Sequence, residues 1–251
     1  MRKHLLIIGF VWPEPKSSAA GSRMMQLIET FQSFDYKITF ASTCAKQDKA
    51  FDLNLLDIQQ VSIELNNTSF DVFLKKLNPD IVVFDRFMVE EQFGWRVTEH
   101  CPDALKILDT EDLHCLRKGR ETALKDKALF DKTYLFNEVS IREIASIYRC
   151  DLSLIISEEE IEILKNQFKV SEHLLYYLPF LTDSISADKK KKLPKIKERE
   201  NFISVGNFIH PPNFDALLFL KREVWPLIRK KLPQTEMHVY GAYASDKVNQ
   251  L

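Results

Sequence analysis

At 251 residues, with 45% hydrophobic and 28% charged side chains, the chain has the composition of a globular protein. It is long enough for one large domain or one and a half ordinary ones. A formal net charge of −1 excludes the basic excess of a nucleic-acid-binding surface, so no nucleic-acid partner is expected. Cys44, Cys101, Cys115 and Cys150 lie far apart with no C-x-x-C pair. That argues against structural zinc or a disulfide framework and for a reducing cytoplasm, and no metal site is expected.

The N-terminus carries basic residues before the apolar run LLIIGFVW, as a signal peptide would, but the run is short and is followed by Glu14 and Lys16. A buried first strand over 5–8 is the better reading. No stretch reaches the ~18 apolar residues of a membrane span. A loop rich in Pro, Ser and Ala follows, and Met24, Leu27, Ile28 and Phe31 recur at helical spacing, which predicts a helix over 22–34. A second strand is expected over 37–41, an irregular stretch over 45–60 and a third strand over 61–65. Thr68 is positioned to cap a short helix that Asn78-Pro79-Asp80 stops. Ile81-Val82-Val83-Phe84 is the clearest buried strand.

A helix over 88–100 and a strand over 105–108 follow, then a long helical region over 119–148 and a strand over 152–156. Ser157 and Glu160 form a capping-box pattern before a helix over 158–168, and 174–178 is the next strand. Beyond Leu181 the stretch DSISADKKKKLPKIKERE is charged and poor in large apolar residues, which marks a linker over 182–200. The segment FISVGNFIHPPNFDALLFLKREVWPLIRKKLPQTEMHVYG, 202–241, then reads as strand, loop, long helix and strand, with Pro226 expected to kink or divide the helix. Strands and helices alternate throughout, so the fold class is α/β with mostly parallel sheets. Since the sequence stops ten residues past Gly241, the expectation is a complete Rossmann-like domain over 1–181 followed by the first βαβ unit of a second over 201–251.

Ligands of open parallel sheets bind beyond the carboxyl ends of the strands, and four such loops qualify. The first leads through Ser18-Ala19-Ala20-Gly21 into a helix N-terminus, suited to an anion or equally to a tight turn without a ligand. It lacks a G-x-G-x-x-G run, which counts against a dinucleotide oxidoreductase. The second carries Asp85 and Arg86, which either orient a polar acceptor or form a surface ion pair. The third, Asp109-Thr110-Glu111-Asp112-Leu113-His114, is the densest polar cluster; a member either binds substrate hydroxyls or acts as a base, while Asp109 or Asp112 alternatively caps the next helix. The fourth starts at Gly206-Asn207 and lets a phosphate approach the backbone, with Asn213 as an alternative N-cap. Lysines 189–192 leave open a peripheral contact with anionic lipid or nucleotide, a solvated hinge being the simpler reading.

The 202–241 segment resembles the opening of the C-terminal domain of family 4 glycosyltransferases of the two-domain GT-B type. ILDTEDLHCLR (107–117) and CDLSLIISEEEIEIL (150–164) resemble late strand–helix units of their N-terminal domain. The resemblance implies a GT-B-like architecture and transfer of a sugar from a nucleotide-sugar donor to an acceptor, with retention at the anomeric carbon and no further cofactor. Gly21, Gly206 and Asn207 match donor-side positions, and Asp85, Arg86 and Asp109 lie on the acceptor side. Many members carry a histidine after the fourth strand where this chain has Asp85-Arg86, so no catalytic residue is assigned; Asp109, Asp112 and His114 are the candidates. A truncated donor domain implies a chain inactive as a transferase. The alternatives are a non-catalytic acceptor- or partner-binding fragment and an unrelated Rossmann-like nucleotide-dependent enzyme.

Overall fold

The computed structural model describes residues 2–251. Its contacts divide it into two units, one of residues 2–13 and 23–181, the other of Glu14–Ser22 and Thr182–Leu251.

The first unit is built on β1 (His4–Gly9), β2 (Lys37–Ser42), β3 (Gln59–Ser62), β4 (Ile81–Asp85), β5 (Leu105–Asp109), β6 (Leu152–Ile155) and β7 (Leu175–Tyr177). All pair in parallel, in the order β3-β2-β1-β4-β5-β6-β7. The helices are α1 (Ala19–Ser33), of which this unit holds the part from Arg23 onward, α2 (Ser69–Leu77), α3 (Phe87–His100), α4 (His114–Lys125), α5 (Glu138–Arg149) and α6 (Glu158–Asn166). Successive strand residues point to opposite faces, and both faces are apolar. Leu6, Ile8, Val82, Phe84 and Leu108 meet Val89, Phe93 and Val97 of α3 and Leu164 of α6. Leu5, Ile7, Ile81, Val83 and Ile107 meet Met24, Leu27 and Ile28 of α1. Burying each such side chain contributes about 1.5–3 kcal/mol, which is why continuous apolar runs make central strands. The chain winds outward one way through β1–β3 and then the other way from β4, so the switch point lies between β1 and β4.

The second unit contains α7 (Ala187–Lys192), the parallel pair β8 (Phe202–Val205) and β9 (Met237–Tyr240), α8 (Pro211–Phe219), α9 (Trp225–Lys231) and α10 (Asp246–Asn249). A π-helical turn, Leu220–Val224, separates α8 from α9 just before Pro226, whose missing N–H and ring disfavour a regular helix there. Along α8, the π-helical turn and the start of α9, Leu217 is buried, whereas Phe214, Leu218, Leu220, Val224 and Trp225 are half-buried.

Several local expectations are corrected. The helix expected over 119–148 is two helices. Asp131 accepts the Thr133 N–H at 2.8 Å, and Asn137 makes a capping box with Ser140, which starts α5 afresh. The third strand lies at Gln59–Ser62 rather than 61–65. Thr68 and Ser157 occupy cap positions without a side-chain capping bond. At α2 it is Asn67 Oδ1 that accepts the Ser69 N–H, at 2.9 Å. Asn78 does end α2, with φ 43° and its N–H on the Leu74 carbonyl.

Candidate functional site

Strand register sets the site of the first unit. β4 and β5 pair with Asp85 opposite Asp109, each the last residue of its strand. Both share parity with the residues that face α1. There Arg23, 1% exposed, donates from Nε to both Asp109 oxygens at 3.0 and 3.1 Å and from Nη2 to Oδ1 at 2.7 Å. Its Nη1 donates to the Leu178 carbonyl at 2.7 Å. Asp85 Oδ2 accepts the Phe10 N–H at 2.9 Å, spanning the switch point between β1 and β4. Arg86 Nε lies 3.5 Å from Asp85 Oδ1, and its guanidinium sits 5.0 Å over the half-exposed Phe10 ring.

Both loops leaving these strands are strained. Arg86 has φ 75° and ψ 157°, a region open essentially to glycine, and its N–H is held by the Asp109 carbonyl at 2.8 Å. Glu111 has φ 64°. Such backbone costs about 1–3 kcal/mol per residue and persists where its surroundings over-determine it. Glu111 is 9% exposed, and its Oε1, like Asp85 Oδ1, has no hydrogen-bond partner in the protein. Burial, and then the charges of Asp85 and Asp109, push the Glu111 carboxyl up to about 8, against the pull of Arg86 and Arg23. Burial also raises Asp109, with the Arg23 bonds drawing it back. A carboxyl that titrates near neutrality can both accept and release a proton.

Asp112 and His114 belong to a different network. His114 Nδ1 is 2.9 Å from the Asp112 carbonyl; a carbonyl only accepts, so Nδ1 carries the proton. The same nitrogen is 3.3 Å from Asp112 Oδ1 and 3.5 Å from Glu143 Oε1, and the ring meets the Phe87 ring edge-on at 5.4 Å. The half-buried Asp112 also pairs with Arg117 at 3.3 Å. Neither Asp109 nor Asp112 caps α4, contrary to the helix-cap alternative. Glu143 on α5 accepts the His114 and Cys115 N–H groups, both at 2.9 Å, and Glu160 on α6 accepts that of Leu113 at 3.0 Å. Buried carboxylates from two other helices thus satisfy the positive end of α4.

In the second unit, the three donor-side positions share one loop system. Asn207 Nδ2 donates to the Ser17 carbonyl at 3.0 Å, which joins the Gly206 loop to the segment carrying Gly21. Tyr243 Oη donates to Glu14 Oε2 at 2.7 Å. A Cβ on Gly21 would strike the Glu14 backbone, so close packing of the turn explains that glycine. The N–H groups of Gly206 and Phe208 go to Tyr240 and Ala242, and those of Ile209 and His210 go to Asn207. α8 then opens with Pro211-Pro212, which carry no N–H for a phosphate. Asn213 is inside α8, donating to the Asn207 carbonyl at 2.9 Å, rather than its N-cap.

Arg23, Glu111 and Glu143 were not singled out in sequence. Arg23 stood one turn before Leu27 on the buried stripe of α1, a usable signal for a paired cation. Glu111 lay inside the quoted cluster without distinction, and Glu143 gave no local sign.

No protein-family model matches the sequence, and no curated protein matches it. Solved structures do match in fold. A sucrose-phosphate synthase from Thermosynechococcus elongatus aligns over 97% of this chain and 63% of its own, at 13% identity and a TM-score of 0.66. The lipopolysaccharide outer core galactosyltransferase WaaB aligns over 95% of this chain and 68% of its own, at 14% identity and 0.56. A glycosyltransferase from Rickettsia africae aligns over 99% and 70%, at 12% identity and 0.55. The chain has the GT-B-type fold of these glycosyltransferases and spans 63% of the length of the synthase. Among the described residues, no helix is long and apolar enough to cross a membrane.

Proposed function

We propose that the chain is part of a cytoplasmic, family 4-like glycosyltransferase that moves a sugar from a nucleotide-sugar donor to an acceptor, with retention. The first unit holds the acceptor and the second contributes to the donor side. The observation that carries the acceptor assignment is the pair of buried carboxyl oxygens without a hydrogen bond, on Asp85 at the end of β4 and on Glu111 just beyond β5, at the carboxyl ends of adjacent strands of a parallel sheet. An acceptor hydroxyl would supply the donor that they lack. Fold alone does not fix chemistry, so the assignment rests on this site. The bonded N–H groups of Gly206, Phe208, Ile209 and His210 favour a second reading, in which this chain binds an acceptor but turns over no donor.

Ligand-observed NMR of the purified chain with UDP-, GDP- and ADP-sugars, with NAD as a control, tests the donor. Saturation transfer to a nucleotide sugar and none to NAD is the expected result. NAD binding without nucleotide-sugar binding points to an unrelated Rossmann-like enzyme. Coupled assay of donor consumption separates the catalytic reading from the second one.

A further inference from the structure

We propose that the tip of the α4 excursion is a lipid-docking site. It sets Leu124, Leu129 and Phe130 into the surface of an anionic bilayer and Arg120, Lys127 and Lys132 against its phosphates. α4 and the segment that returns to α5 form a hairpin-like excursion. Asn137 Nδ2 donates to the Cys115 carbonyl at 3.1 Å, so its two ends meet. A Cβ on Gly119 would strike the Tyr134 carbonyl, so the return runs back along α4. At the far end Lys127, with φ 54°, closes the helix, and the Ala128 N–H reaches the Ala123 carbonyl at 2.9 Å. That turn leaves Leu129 93% and Leu124 74% exposed. Phe130 packs over Gly119, with the Arg120 guanidinium 5.9 Å from its ring centre. Arg120 and Leu124, four residues apart on α4, share a face.

Charge points the same way. From Arg117 to Lys132 there are six basic and three acidic residues, a net of +3 on a chain whose total is −1. The acids are occupied. Glu121 pairs with Lys118 at 3.1 Å and with Lys125, Asp126 accepts the Tyr134 hydroxyl at 3.3 Å, and Asp131 accepts the Thr133 N–H at 2.8 Å. Arg120, Lys127 and Lys132 are exposed and form no salt bridge among the described residues. A basic rim around a few exposed apolar side chains matches an anionic lipid surface, which attracts each cation and takes up the apolar tip. Three large side chains fall far short of the roughly 800 Å² per partner of a stable protein interface. A second copy would also bring two positively charged tips together.

Co-sedimentation of the full chain with vesicles tests this, using phosphatidylcholine alone and an equal mixture with phosphatidylglycerol. The expected result is binding to the mixture that weakens with added salt, and little binding to phosphatidylcholine alone. Leu124→Gln with Leu129→Ser changes two exposed side chains, so the melting temperature should hold. Affinity should fall at least about tenfold, each methylene withdrawn from lipid being worth about fourfold. Lys127→Gln with Lys132→Gln should lower affinity for the mixture about fivefold per charge. No binding to the mixture overturns the proposal, as does undiminished binding by the Leu124→Gln, Leu129→Ser variant. So does binding that is lost instead on replacing Lys189–Lys192 by glutamine, or on Ile203→Thr with Val205→Thr in β8. Binding of duplex DNA through Lys127 and Lys132, without vesicle binding, would make the tip a nucleic-acid contact and overturn it too.

Discussion

Arg23 and Asp109 are each at most 1% exposed, and neither has another charge of opposite sign as close. Removing one partner leaves the other charge buried, so Arg23→Met should cost about 3–5 kcal/mol of stability by chemical denaturation. The double change Arg23→Met with Asp109→Leu should recover most of that loss; no recovery would mean that Arg23 acts mainly through the Leu178 carbonyl. Activity changes at Asp109 are therefore entangled with folding, and Asp112, half-buried and outside the pair, is the cleaner site to vary. Glu111 makes a pH prediction. Its carboxyl moves from an ordinary 4.5 to about 8 in the folded protein. Between these values the folded state keeps a proton that the unfolded chain has released, so stability is full below the lower value and is lost as pH rises through the upper one. Melting temperature should fall with rising pH across this window and fall less in Glu111→Gln; parallel curves would refute the shift. The Asp85 and Asp109 positions were legible in sequence because strand ends are. Arg23 was marked only by its place on the buried stripe of α1, and its pairing was not legible, since its partner lies 86 residues away.

The α4 N-terminus shows the same limit one scale up. A capping box is written within four residues, as at Asn137 and Ser140, and the break before α5 was there to be read. The α4 caps come from Glu143 and Glu160, 29 and 47 residues from the N–H groups they accept. No local pattern encodes that. It also explains why the Ser157–Glu160 pattern misleads: Glu160 looks like the second half of a box but is spent on Leu113. Glu143→Ala leaves two buried N–H groups unsatisfied and should cost about 2–4 kcal/mol, from about 1–2 kcal/mol for each. Asn137→Ala, at the start of α5, should cost about 1 kcal/mol. A Glu143→Ala loss no larger than that of Asn137→Ala would show that the cross-helix cap is easily replaced by water.

At the scale of the molecule, apolar runs and alternation with helices were enough to read a parallel α/β fold, because a strand buried on both faces has to be apolar along its length. The β8–β9 pair departs from that rule, and the departure is visible residue by residue. Phe202 faces the helices, its ring edge-on to Trp225 at 6.1 Å. Ile203 and Val205, pointing the other way, are 68% and 72% exposed, with Tyr240 on the same face at 56%. Apolar side chains grouped on an exposed sheet face favour association. The chain should therefore bind a hydrophobic dye and self-associate in a concentration-dependent way. Ile203→Thr with Val205→Thr keeps β-branched side chains in the strand and makes that face more polar, so it should reduce both effects without lowering the melting temperature. Sedimentation velocity across a concentration series, with dye fluorescence on the same samples, measures this. Unchanged association in the double variant would place the sticky surface elsewhere, and a large drop in melting temperature would mean that the two side chains are packed rather than exposed.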